Sequence, residues 1–341
     1  MRRRRFDVFC LRGLRGGFVS IPTTQLGTTN LTVTRYCQGT AFRHLPRRSD
    51  EPVAEQVLHH CLDRGVTFFD SAQAYGWGGA EELLGKVLQG RRSEVVVCTK
   101  VHPTLPPETE GQPGTPTPFT SSYLADQLDV SLRRLQTDYV DIYLLHQPDP
   151  GTPAEEICAS MDRLIQSGKA RFWGVSNFSA STVTEYLEIA NASGSAPPSV
   201  LEDYYNISGA YSFTDDEQSR MRLYEREMFP VIRDHRLGTM FFSPLDAAQL
   251  ATSWKADPGS PLETLHAEID AVARDIGAAR AEVCIAWVLD HPETSAVLAG
   301  PEHPDHVDEM LRGVALDLPA DVRRQLDEAS LAFSNVVEDS F

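Results

Sequence analysis

The chain has 341 residues with 41% hydrophobic and 23% charged content, an ordinary balance for a folded protein and long enough to bury a sizeable core without disulfide staples. Its formal net charge of -17 at pH 7 argues against a nucleic-acid partner, which needs basic surface. Every apolar run falls short of the roughly 18 residues of a membrane span, so no membrane partner is expected either.

Residues 1–20 open with four arginines, Arg2 to Arg5, and continue as a mixed stretch broken by Arg12 and Arg15. A secretory core would be unbroken there. These residues are therefore expected to form a disordered extension, with one folded domain over residues 21–335. The six cysteines, Cys10, Cys37, Cys61, Cys98, Cys158 and Cys284, make no C-x-x-C pair and fit reduced thiols in a cytoplasmic setting. No metal site is expected: His59-His60 and His303/His306 have no cysteines spaced to complete one.

From residue 22 the pattern becomes regular. Residues 23–34 read as a β-hairpin with a polar turn, and 35–39 as a first strand. Apolar runs at 66–69, 95–99, 140–145, 170–175, 200–205, 239–242 and 296–299 supply seven more. Between them lie helical patterns, starting with Pro52 followed by Val53, Val57, Leu58 and Cys61 at helical spacing. Others fall at 81–88, 122–135, 155–166, 179–190, 220–233, 262–276 and 304–311, with extra helices at 280–289 and 321–330. Alternating β and α units predict a parallel sheet, and eight of them predict an α/β chain folded as a (β/α)8 TIM barrel with an N-terminal β-hairpin closing its bottom. A doubly wound open sheet is the competitor, but no G-x-G-x-x-G follows an early strand.

The polar residues at the strand ends carry the functional signal. Asp70, Lys100, His146 and Ser176-Asn177 each end an apolar run. In a closed barrel those C-terminal ends surround one mouth. Any one of them alone would read as a helix cap; four in succession do not. Tyr75 follows Asp70 by five residues and can reach the same mouth. A lysine ammonium favours phenolate and so is expected to lower the phenol's pKa, a carboxylate holds the lysine, and a histidine orients a substrate oxygen.

Residues 65–76 (GVTFFDSAQAYG), 97–100 (VCTK), 143–148 (YLLHQP) and 174–178 (GVSNF) together resemble the ordered motifs of the aldo-keto reductase family. The resemblance covers about 22–330 and implies a small-molecule carbonyl substrate, a nicotinamide cofactor and a tetrad of Asp70, Tyr75, Lys100 and His146. It places Ser176 and Asn177 on the nicotinamide carboxamide. Phe242 stands where an aromatic ring stacks on the nicotinamide, followed by Ser243 and Leu245. Glu202, or Leu201 in the next register, stands where the family often has a glutamine. Gly300 and His306 fall in the segment that faces the adenosine phosphate.

That segment departs from the pattern: Glu302 stands where cations are common, and the loop after 245 begins with Asp246 and has no glycine before residue 249. NADP(H) is implied by the family and NAD(H) stays open. The main reading is a carbonyl reductase or the reverse dehydrogenase. The alternative is a cofactor-binding regulatory subunit with little turnover, and a lyase or isomerase on the same barrel is a third, weaker reading. Oligomeric state is not legible.

Overall fold

The computed structural model describes residues 9–12, 18–45, 50–105, 114–149, 151–211 and 221–338. Eight parallel strands form the barrel: β1 (Tyr36–Gly39), β2 (Phe68–Asp70), β3 (Val96–Val101), β4 (Val140–Leu145), β5 (Ala170–Ser176), β6 (Val200–Asn206), β7 (Gly238–Phe242) and β8 (Ala296–Ala299). Each pairs with its neighbour in sequence, and β8 pairs with β1 to close the ring. Closure leaves no parallel edge exposed.

Helices cover the outside: α1 (Pro52–Asp63), α2 (Gly79–Val87), α3 (Ser121–Leu135), α4 (Ala154–Gln166), α5 (Ala180–Ser193), α6 (Met221–His235), α7 (Pro261–Ile276), α8 (Arg280–Asp290), α9 (Pro304–Val314) and α10 (Ala320–Glu338). Their starts are chemically marked. Thr120, Ser179 and Ser260 cap α3, α5 and α7 by accepting from backbone N–H groups three residues on. Pro261 and Pro304 open α7 and α9, where a missing N–H costs nothing.

The pleat explains how the barrel positions a site. Side chains two apart on a strand share a face. Inside the barrel, Phe68, Val96, Cys98, Ile142, Leu144, Val200 and Met240 form an apolar plug. One step further along the same rows stand Asp70, Lys100, His146, Glu202 and Phe242. The apolar layers fill the bottom and the polar row crowns the top. The outward residues of the same strands, among them Tyr143, Trp173, Tyr205 and Phe241, pack against the helices. Trp173 and Trp287 are fully buried, as core residues.

The expected hairpin is present as Thr23–Gln25 paired antiparallel with Thr32–Thr34. Its Leu26, Leu31 and Val33 join the interior plug from below. The extension expected over residues 1–20 lies largely outside the described residues; within it the backbone of Phe9–Arg12 pairs antiparallel with Phe18–Ile21. Where β5 meets β6, Gly174 is required by space, since a Cβ there would sit 1.9 Å from the Val200 carbonyl oxygen. No helix among the described residues is long and apolar enough to cross a membrane.

Candidate active site

Lys100 is the centre of the crown. Its Nζ, with three hydrogens to share, lies 2.6 Å from each oxygen of Asp70, 3.0 Å from the Ser71 carbonyl oxygen and 3.2 Å from Tyr75 Oη. The ammonium also lies 4.8 Å from the centre of the Tyr75 ring. Tyr75 arrives from a tight, kinked segment: within Tyr75–Gly78 the backbone of Gly76 and Trp77 is left-handed, so the helical turn is broken there. The structure thus brings Asp70, Tyr75 and Lys100 together, with Lys100 between the other two. His146 joins them, its ring 5.7 Å from that of Tyr75 and edge-on to it. Trp77 stays 41% exposed at the rim.

Burial sets the electrostatics. Lys100 is fully buried, which favours the neutral amine; the groups around it, Asp70 foremost, outweigh that and hold it well above the ordinary lysine value. His146 is driven well below the usual histidine range by burial, then by the Lys100 and His102 charges, so it is a neutral imidazole. The Tyr75 phenol corrects an expectation. Lys100 does pull it down, but burial pushes it up by more, and the Asp70 charge adds to the push. Its net direction is upward.

Ser176 and Asn177 end β5 beside this cluster. Asn177 has a left-handed backbone (φ 65°), and three bonds fix it. Its N–H donates to Asp203 Oδ1 at 2.8 Å, and its side-chain amide donates to the His146 carbonyl at 3.1 Å and to Ser176 Oγ at 2.9 Å. The Asn177 amide oxygen and His146 Nδ1 are buried around the same mouth without a protein partner. Buried polar atoms are normally paired. An acceptor oxygen on Asn177 and a half-buried Phe242 ring fit a nicotinamide, which offers amide donors and a flat π face. Leu245 packs partly buried against the core next to it.

Glu202, at the position where the family often has a glutamine, is drawn into the Lys100 cluster. Its Oε1 lies 3.2 Å from Lys100 Nζ, and the side chain is nearly fully buried. Asp70, Cys98 and Glu202 offer ligand atoms within 4.8 Å of one another, the one such trio among the described residues. The Lys100 ammonium already serves there as the cation.

The residues expected on the phosphate side are more dispersed. Ser243, with φ 55°, gives its carbonyl to Asn206. Gly300 leaves only ordinary contact for a Cβ, so no close backbone approach demands it. His306 is exposed in the first turn of α9. Glu302 accepts from the His44 backbone N–H at 2.8 Å, tying two loops together. Asp246 accepts from Tyr204 Oη and, at 2.9 Å, from Ser208 Oγ.

Sequence reasoning missed His102 and Asp203. His102 stacks edge-on to His146 at 5.4 Å, and its Nδ1 is likewise buried and unpartnered. It lies two residues past Lys100, so the pleat period alone would have placed it on the same face. Asp203 gives no such signal: it faces outward and is recruited by Asn177 from a neighbouring strand.

The profile of the Aldo/keto reductase family matches residues 35–331. Among similar proteins, "Uncharacterized oxidoreductase YrpG" of Bacillus subtilis is 29% identical over 323 residues, covering 89% of this chain and 94% of its own. A "Probable voltage-gated potassium channel subunit beta" of Oryza sativa subsp. japonica is 30% identical over 316 residues, covering 86% and 90%. Among solved structures, the thermostable aldo-keto reductase Tm1743 superposes with TM-score 0.73 at 25% identity, over 90% of this chain and 99% of that one. The holo form of aldo-keto reductase AKR11C1 from Bacillus halodurans gives 0.76 at 24%, over 91% and 96%.

Proposed function

Because the chain belongs to the aldo/keto reductase family, we propose that it is a nicotinamide-dependent oxidoreductase that reduces an aldehyde or ketone, or oxidises the matching alcohol, with Tyr75 as proton donor. The observation that carries this reading is the Lys100 ammonium set between Asp70 and the Tyr75 hydroxyl at the barrel mouth. When bound, the cofactor supplies hydride. This chain's residues do the rest. Ser176 and Asn177 would hold the carboxamide and Phe242 the ring. His146, neutral and with a free ring nitrogen, hydrogen-bonds the substrate oxygen. Tyr75 Oη gives its proton to that oxygen, and the phenolate left behind faces Lys100 Nζ 3.2 Å away. Asp70 keeps Lys100 charged and fixed.

NADP(H) is the cofactor the family implies. With Glu302 standing where cations are common in the family, the preference over NAD(H) should be modest. Fluorescence titration with NADPH and NADH separately, then a carbonyl panel with the tighter binder, tests both points. Failure to oxidise either reduced cofactor with any carbonyl would reject the enzyme reading. The second reading, a cofactor-binding regulatory subunit with little turnover, is favoured by one observation: burial holds the Tyr75 phenol above its ordinary value, which slows proton release. The rice relative's name points the same way. Tight cofactor binding without turnover would select it.

A further inference from the structure

Glu202 has more attached to it than a cofactor contact. One ammonium, Lys100 Nζ, serves two buried carboxyl groups. Asp70 takes the two short bonds, 2.6 Å each, and Glu202 takes one contact of 3.2 Å. With all three ionised, the buried cluster would carry an uncompensated negative charge. Glu202 Oε2 is buried with no donor to accept from, and the Asp70 carboxylate beside Glu202 is an acceptor for a proton on it.

We propose that Glu202 is a positioning residue for the proton chemistry: a carboxylic acid, its proton held beside Asp70, that leaves the Lys100 charge free to act on Tyr75. The proposal rests on the reductase reading for its effect on turnover, but not for the proton itself.

The surroundings allow little else. Asp70 on β2 and Lys100 on β3 face Glu202, with Tyr75 beyond Lys100. Cys98 on β3 and Cys37 on β1 are buried thiols whose ionisation is pushed far up by burial. The strand neighbours in register are Ser176 on β5 and Met240 on β7, neither of them charged. Burial and Asp70 both drive the Glu202 carboxyl well above the usual carboxylate range, and Lys100 offsets this only in part. Once ionised, Glu202 would compete for Lys100 and disfavour the Tyr75 phenolate. Proton donation by Tyr75 should then fade as alkali strips Glu202. The protonated acid is nearly isosteric with glutamine, so Glu202→Gln fixes the neutral state without reshaping the site.

The first test needs no turnover. Infrared spectra of the cofactor-free protein at about pH 8, where ordinary carboxyls are ionised, should show a protonated-carboxyl stretch. It should move to lower frequency when glutamate carboxyls carry carbon-13, and disappear in Glu202→Gln. A band absent from wild type, unmoved by the label or surviving in Glu202→Gln overturns the proposal. The second test is single-turnover carbonyl reduction against pH. Wild type should lose rate toward alkaline pH, and in Glu202→Gln the loss should begin at least about one unit higher, roughly tenfold in rate at the alkaline end. Superimposable profiles overturn the link to Tyr75. A wild type inactive on every carbonyl sinks the reductase reading instead, while the infrared result still decides the state of Glu202.

Discussion

Asp203 holds the backbone N–H of Asn177 with one oxygen and accepts from Tyr224 Oη with the other, both at 2.8 Å. It is fully buried, and burial raises its carboxyl to about 6 despite those two bonds. An aspartate in the unfolded chain titrates near 3.9, so the difference of about two units corresponds to about 3 kcal/mol. The folded state binds this proton more tightly than the unfolded one. Its contribution therefore favours folding fully below about pH 4 and is lost as pH rises through about 6. Asp203→Asn does not titrate and keeps one acceptor oxygen. The stability of wild type minus that of the variant should fall by about 2 kcal/mol between pH 4 and 7. Urea unfolding at several pH values measures this, provided circular dichroism and tryptophan fluorescence give coincident transitions. Parallel curves for the two proteins across that range would refute the reasoning. Because Asp203 also anchors Asn177, the variant should bind nicotinamide cofactor more weakly at every pH.

Tyr75→Phe should lower carbonyl reduction by about 100- to 10,000-fold with cofactor affinity almost unchanged, read by single-turnover cofactor oxidation and fluorescence titration. Lys100→Met should produce a similar loss, and the double variant should be little worse than either single one, since the two groups serve one proton. Gly174→Ala drives a Cβ into the Val200 backbone at the β5–β6 seam, so it should lose about 3 kcal/mol or fail to fold, seen as a lowered urea midpoint. His102→Phe keeps a ring against His146 but removes a free nitrogen; KM for polar carbonyl substrates should rise while cofactor affinity holds.

Alternating apolar runs and amphipathic helices determined the barrel, because each β/α unit can bury its apolar surface only by stacking beside the next. The same pattern determined which end is functional: Asp70, Lys100 and His146 continue inward-facing rows whose earlier members, Phe68, Cys98 and Leu144, are apolar. Pleat period and strand direction are local properties, so they are written along the chain. Who meets whom across the barrel is not. Lys100 and Glu202 lie on β3 and β6, strands that are not neighbours, and only closure of the ring brings them to 3.2 Å. The acidity of Tyr75 was likewise decided by tertiary structure. Sequence names the lysine that lowers it, but the burial that raises it further exists only once the mouth is assembled. Asp203 shows the same limit from the outer face. Nothing in its own strand marks it, and its role appears only when β5 delivers the Asn177 N–H to its carboxylate.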